Sequence, residues 1–517
     1  MLKKLVFTFG FGTIFLFSNV VEIVRSTGTT VYHSQLASTS QWVALLLDNL
    51  LLSLVLAIAW KAGIGSRNWP RTRLILAILL PLVALAGNRL LAANLWDRAL
   101  RASHVSAWEG AGLKTLPMPV PYWLLLLIGV AWALVVLICV RFERARNALF
   151  AVGKVGLLAG VVLGLNLAWN LARAVHRRSG DRVFAPIHER DPQAQAAHPR
   201  IVWVVMDELS YRQAFEHRVP DLQMPNFDAL RNQSVLYTHV QPVAYWTDVA
   251  ITSMMAGEPL DDQRSSYWGV VQFRDANEET WHQWNPQATV LGEAEDAGWN
   301  VALAGWWNPY CKLFHGMLQS CFWSSASPYS PTRPWYSVAK NMETAFVYPL
   351  KAWSQPPQLA ARMRENYRLL NNGLADIDDD RMDFVFLHIA VPHYPFVFDR
   401  HTGRDDPSNG HSYQDGLALA DRQLGQIMAE VEKSPRWQNT TVILDGDHSW
   451  RTNLWVSEAG WTAEDAATAG DKFDDRPVLL VHAPGQSTPQ TVDAPTPLLH
   501  VHDIVQSVVK TGKPALP

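Results

Sequence analysis

This chain of 517 residues has few cysteines (3), few charged side chains (18%) and no marked excess of either sign, the formal net charge being -3. The near balance of charge excludes the strongly basic face that nucleic-acid binding requires. No internal repeat is present, which sets aside solenoid and propeller architectures. No small-x-small cleavage site follows the first apolar run, so that run reads as a retained segment and not as a removed signal peptide. Of the three cysteines, Cys139 lies in an apolar run, while Cys311 and Cys321 sit close together in the polar half of the chain. In an oxidising compartment those two would join as a disulfide; the alternative is two unrelated buried thiols.

Long apolar runs are present, and nearly all precede residue 172. Five, at approximately 5–24, 42–60, 74–96, 121–140 and 149–170, are long enough to cross a bilayer, which takes roughly 17–25 apolar residues. Lys and Arg are almost evenly shared between alternate loops, so the positive-inside rule gives little direction, but five spans place the two ends on opposite faces. Asp48 and Arg89 fall inside these runs and are expected to pair, as intramembrane charges usually do. The reading is a transmembrane domain over 1–172, a polar linker over 173–200 and a catalytic ectodomain over 201–517.

Past residue 200 the pattern changes. The apolar runs 201–206, 384–391, 440–446 and 477–483 have strand length and alternate with helical patterns at 289–297, 357–375 and 413–433. Such alternation predicts an α/β fold with a largely parallel sheet sandwiched by helices. Segments 259–288 and 324–358 read as irregular loops. Ligands of such folds bind beyond the carboxyl ends of the strands. Two acidic clusters stand at such ends, Asp207-Glu208 and Asp447-His448, and together they suggest convergence on a cation.

The order of several motifs makes a specific resemblance. "VWVVMDE" is followed by "MPNFDALRNQSVLYTHV" (224–240), "TVLGEAEDAGWNVALAG" (289–305), "LHIAVPHYPF" (387–396) and a helix-strand stretch ending in Asp447-His448. Over nearly all of 200–510 the chain resembles the alkaline phosphatase/sulfatase superfamily. In "TDVAITSMMAG" (247–257), Thr247 takes the position of the superfamily nucleophile, with Val249 and Ile251 where sulfatases carry Pro and Arg. Trp306 and Asn308 likewise replace parts of the sulfatase Lys-Trp-His stretch, and Ser449 stands where many members have Gly. A threonine cannot be oxidised to the sulfatase aldehyde.

With the amino-terminal spans, these residues look like those of lipoteichoic acid synthase and lipid A phosphoethanolamine transferase. That resemblance implies one divalent ion, Zn²⁺ or Mn²⁺, held by Asp207, Thr247, Asp447 and His448, with Glu208 a further candidate ligand or a helix-start acid. It implies His393 at the phosphoryl oxygens or leaving group, and attack by Thr247 to form a phosphothreonine. It also implies a phospholipid donor, an envelope glycan or lipid acceptor, and a place in the bacterial cytoplasmic membrane with the catalytic domain on the outer face. A hydrolase of the same superfamily and an inactive anchored binding platform are the alternatives.

Plainer roles exist for several of these residues. Thr247 before Asp248 is also a good helix N-cap. Trp246 and Trp450 flank the site as candidate substrate walls, against ordinary core packing. His388 lies mid-strand and reads as a core histidine. His401, His411, His482, His500 and His502 carry no spacing that selects a ligand among them.

Overall fold

The computed structural model describes residues 198–266, 271–314, 316–324, 355–408, 410–456 and 460–517, with short stretches of the first 172 residues and of 338–342. Two compact units divide the chain: Met1–Ser26, Ala37–Arg178 and Pro328–Ser354 form one, and Thr27–Leu36, Ser179–Ser327 and Gln355–Pro517 the other. In the first unit the expected spans lie mostly outside the described residues, as does Arg89 of the expected pair with Asp48. No helix among the described residues is long and apolar enough to cross a membrane. The helical stretches that are described expose Leu47, Leu50, Leu51 and Leu54, and Leu158, Val162, Leu165 and Trp169. These fall at helical spacing and form apolar stripes.

The second unit is built on strand β1 (Arg200–Met206), whose side chains are all buried. Alternation along a strand sends neighbours to opposite faces. Accordingly Val202, Val204 and Met206 enter one core, while Ile201, Trp203 and Val205 enter another. Both faces are therefore covered. The first core takes α1 (Pro225–Arg231), α5 (Gln355–Asp378) and α6 (Tyr413–Lys433), through Phe227, Leu369 and Leu417 among others. The second takes α2 (Thr247–Ala256), α3 (Val290–Asp296) and α7 (His500–Thr511), through Ile251, Val290 and Val501.

The remaining strands of the sheet are β2 (Val235–Tyr237), β6 (Val301–Trp306), β7 (Ser320–Ser324), β8 (Phe384–Ile389), β9 (Thr440–Gly446), β10 (Leu479–His482) and β11 (Gln490–Val492). Their order is β11-β2-β10-β9-β1-β8-β6-β7. From β9 to β7 all pairings are parallel. The α/β class and the mostly parallel sheet follow the sequence reading. One direction differs: β10, in the run 477–483, lies antiparallel to β9. An apolar run buried on both faces records burial but not direction.

Segment 259–288 is not an irregular loop. It holds an antiparallel sheet of β3 (Leu260–Ser266), β4 (Val271–Asp275) and β5 (Trp281–Gln283), to which the two-residue strand Thr27–Gly28 adds at β3. Cys311, on the one-turn helix α4 (Tyr310–Leu313), and Cys321, on β7, are joined as a disulfide, with Cα atoms 5.8 Å apart.

Candidate metal and phosphoryl site

Parallel pairing aligns the strand ends. Met206 at the end of β1 lies opposite Gly446 on β9 and Ile389 on β8, and His388 lies opposite Gly305 on β6. The four loops that follow meet on one edge of the sheet, carrying Asp207, Asp447-His448, His393 and Trp307.

Asp207 is fixed by its own turn. Its amide donates to Ile389 O at 3.1 Å, and the next residue, Glu208, has φ of 68°. This left-handed conformation is unfavourable for a side chain larger than glycine and persists where surroundings over-determine it. Here the Glu208 amide donates to Asp447 Oδ1 at 3.1 Å, and its carbonyl accepts from the Tyr413 hydroxyl at 2.6 Å. The same hydroxyl accepts from the Ser210 amide at 3.1 Å. Trp307, on the neighbouring loop, also has φ of 68°.

Thr247 is the first residue of α2, and the extended Trp246 is the N-cap, so the plain capping role does not fall to Thr247. Its Oγ1 lies 3.1 Å from His448 Nε2. Asp248 Oδ2 accepts from Gln263 Nε2 at 2.7 Å, tying the first turn of α2 to β3. At the other end Gly257 has φ of 75°, and a Cβ there would meet the His502 ring at 2.7 Å.

Asp207, Asp447 and His448 offer ligand atoms that all lie within 4.8 Å of one another. His448 Nε2 is 3.1 Å from Asp447 Oδ2 and 3.8 Å from Asp207 Oδ1. His448 Nδ1 donates to Ser449 O at 3.1 Å, which leaves the Nε2 lone pair facing the carboxylates and the Thr247 hydroxyl. Both oxygens of Asp207 and Oδ2 of Asp447 are buried without a hydrogen-bond partner. Burial first, and the Asp447 charge second, push Asp207 well above the usual carboxylate range; burial also raises Asp447. The imidazole of His448 is held down at about 3, first by burial and then by the Arg451 charge, so it is neutral. Unpaired buried carboxylate oxygens beside a neutral imidazole and a hydroxyl fit a divalent cation, the partner that relieves their repulsion.

Glu208 is not among these ligand atoms. Its carboxylate accepts from Arg451 Nε at 2.6 Å and from Trp455 Nε1 at 2.8 Å, so it anchors a guanidinium. His393 also sits with Arg451: Arg451 Nη2 donates to His393 Nε2 at 3.2 Å, and His393 Nδ1 donates to Tyr394 O. An arginine only donates, so His393 is the acceptor and its ring is neutral. Burial, then the charges of Arg451 and Arg362, hold its pKa well below the ordinary imidazole value.

The two tryptophans part company. Trp246 is 48% exposed, with the Arg451 guanidinium 5.4 Å from its ring centre. Trp450 is buried, stacked between Tyr413 at 4.3 Å and Trp461 at 5.4 Å, which is a packing role and not an open wall. His388 is buried as expected of a core residue, yet its Nε2 lies 3.9 Å from Asp207 Oδ2 and its Nδ1 2.8 Å from the Tyr310 hydroxyl. Burial holds it down at about 4.

Two residues of the site escaped the sequence reading. Arg451, only 4% exposed, stands three positions past His448, a proximity that was there to be noticed. Its pKa is pulled down by burial but raised on balance by Glu208 and Asp207. Arg362 comes from α5, far away in sequence, and lies 3.9 Å from the centre of the Trp306 ring.

A mostly parallel sheet with buried acids, an imidazole and a hydroxyl beyond its carboxyl edge is the arrangement of a candidate metal-binding enzyme site. Residues 199–511, more than half of the chain, match the family model described as Sulfatase, and the chain belongs to that family. Similar solved structures include a phosphonate monoester hydrolase of Agrobacterium radiobacter, 13% identical, covering 60% of this chain and 74% of that chain at a TM-score of 0.39. A sulfatase from Pseudoalteromonas sp. is 12% identical, covering 64% and 71% at 0.41. A protein in the alkaline phosphatase superfamily from Vibrio parahaemolyticus is 14% identical, covering 65% and 75% at 0.37. Likeness at this level says nothing of substrate. No curated protein matches the chain.

Proposed function

We propose that the protein is a phosphoryl-group transferase of the bacterial envelope that moves a phosphoglycerol or phosphoethanolamine head group from a phospholipid to a glycan or lipid hydroxyl. The observation that carries this reading is the Thr247 hydroxyl, 3.1 Å from His448 Nε2 at the first turn of a ten-residue helix, beside buried carboxylate oxygens without partners. A divalent ion held by Asp207, Asp447, His448 and Thr247, Zn²⁺ or Mn²⁺ by ligand type, would supply the Lewis acidity that favours the alkoxide. Thr247 Oγ1 loses its proton to solvent and attacks phosphorus. The P–O bond to diacylglycerol breaks, the leaving oxygen takes a proton from solvent, and the head group is held as a phosphothreonine diester. The acceptor hydroxyl then displaces Thr247. The amino-terminal end of α2, a ten-residue helix, favours the phosphoryl charge throughout.

Threonine itself argues against aldehyde-hydrate sulfatase chemistry. The five apolar runs and the exposed leucine stripes of the first unit support a membrane anchor, where a lipid donor is at hand. The Cys311–Cys321 bond supports a catalytic domain in an oxidising space beyond the cytoplasmic membrane. Hydrolysis of a phosphate or sulfate ester is the second reading. Arg362 and Arg451, which bring positive charge to the site, serve hydrolysis and transfer alike. An inactive platform has no use for three unpaired buried carboxylate oxygens, which cost stability.

The test is a comparison of substrates. Metal-loaded protein in detergent should release diacylglycerol from phosphatidylglycerol or phosphatidylethanolamine faster than it cleaves an aryl sulfate. Rapid sulfate cleavage with phospholipid untouched refutes the transferase reading.

A further inference from the structure

Arg362 has an unusual setting. Its guanidinium lies 3.9 Å from the centre of the Trp306 ring, and Nη2 donates to Ala390 O at 3.3 Å. Its Nε has no hydrogen-bond partner, and it forms no salt bridge among the described residues. The charges that act on it include Asp207, and it acts in turn on Asp207 and His393. Burial lowers its pKa to about 10, which still leaves it charged at neutral pH. Trp306, the ring beneath it, packs edge-on against His393 at 5.1 Å.

Arg451 also reaches His393, its Nη2 donating to Nε2 at 3.2 Å. Of its five N–H groups, one goes to Glu208, one to His393 and one to Tyr245 O. That leaves one N–H on each terminal nitrogen, the pair with which a guanidinium grips a tetrahedral anion.

Charge balance then points to an anion. A divalent cation at Asp207, Asp447 and His448 offsets the carboxylates that now compensate Arg362. With that compensation gone, a half-buried guanidinium whose other acidic influence is Glu365, itself paired with Arg368, favours a negative ligand. The sequence positions where sulfatases carry Arg and Lys hold Ile251 and Trp306, so the usual cations are missing from their usual elements.

We propose that Arg362 and Arg451 together form a two-guanidinium clamp, near His393, for the non-bridging oxygens of the transferred anion. Trp306 serves as the platform for Arg362, and Glu208 and His393 aim Arg451. The inference rests on the reading of the site as a phosphoryl site, and its residues differ from those of the nucleophile and the cation.

The experiment uses manganese-loaded full-length protein with inorganic phosphate as probe, followed by titration calorimetry. Wild type should bind phosphate, and Arg362→Gln should weaken binding at least tenfold, with metal content and melting temperature close to wild type. Arg362→Lys, which keeps the charge but loses the fork, should fall between them and serves if the glutamine variant does not fold. Added guanidinium ion should restore part of the phosphate affinity of Arg362→Ala, which a purely structural role would not allow. Equal phosphate affinity in wild type and Arg362→Gln overturns the clamp and leaves the phosphoryl reading standing. Failure of wild type itself to bind phosphate overturns both.

Discussion

Replacing Glu208 with alanine separates two roles for that residue. As a metal ligand it would take cation with it when removed; as the partner of Arg451 it would take stability and leave metal bound. The Arg451–Glu208 contact is 2.6 Å, and the side chains are 4% and 0% exposed. Removing one member of a buried pair leaves the other charge uncompensated, at a cost of about 3–5 kcal/mol. Trp455 Nε1 also loses its acceptor, adding roughly 1 kcal/mol. Alanine keeps the left-handed backbone cost at φ of 68°, so no relief offsets these terms. With a urea dependence of about 3 kcal/mol per molar for a domain of this size, the midpoint should fall by about 1 M or more. The assay is a urea titration of metal-free protein followed by near-ultraviolet circular dichroism, with bound metal measured separately on the loaded variant. A midpoint within about 0.2 M of wild type, or loss of the metal, refutes the placement of Glu208 as the anchor of Arg451.

Asp447→Asn and His448→Ala should each lower bound Zn²⁺ or Mn²⁺ in elemental analysis, and chelation should stop turnover reversibly; activity that survives a chelator removes the metal from the account. Metal-free protein should lose stability as pH rises through the raised values of Asp207 and Asp447, because carboxylates whose folded pKa is raised favour the fold only while protonated. Added metal should abolish that slope, as thermal melts at a series of pH values would show. Non-reducing peptide mapping should find Cys311 joined to Cys321, and Cys311→Ser should cost about 2–3 kcal/mol in urea titration.

What the residues disclosed in advance follows from how each feature is encoded. The run 201–206 is apolar at every position and reads directly as a doubly covered strand, and Asp207 then falls at its carboxyl end. The sheet of β3, β4 and β5 was illegible because "LDDQRSS" and "WHQ" carry no apolar run; they are held by pairing with β4, whose Val271 and Phe273 enter the second core. The direction of β10 is likewise absent from its composition. Within the site, Asp447-His448 is local and legible, whereas Arg362 reaches the site from α5 only through tertiary packing. Glu208 was ambiguous since an acid beside a ligand looks the same whether it meets a cation or a guanidinium. Trp450 could not be told from an open wall until Tyr413 and Trp461 were seen on its two faces.

The central claim is that Thr247 carries the transferred group. Peptide mass spectrometry of the metal-loaded protein after incubation with phosphatidylglycerol or phosphatidylethanolamine, without acceptor, tests it most directly. The account predicts a glycerophosphoryl or phosphoethanolamine mass increment on the peptide containing Thr247, lost on adding acceptor and absent from Thr247→Ala. Turnover with Thr247 unmodified throughout, or undiminished in Thr247→Ala, would contradict it.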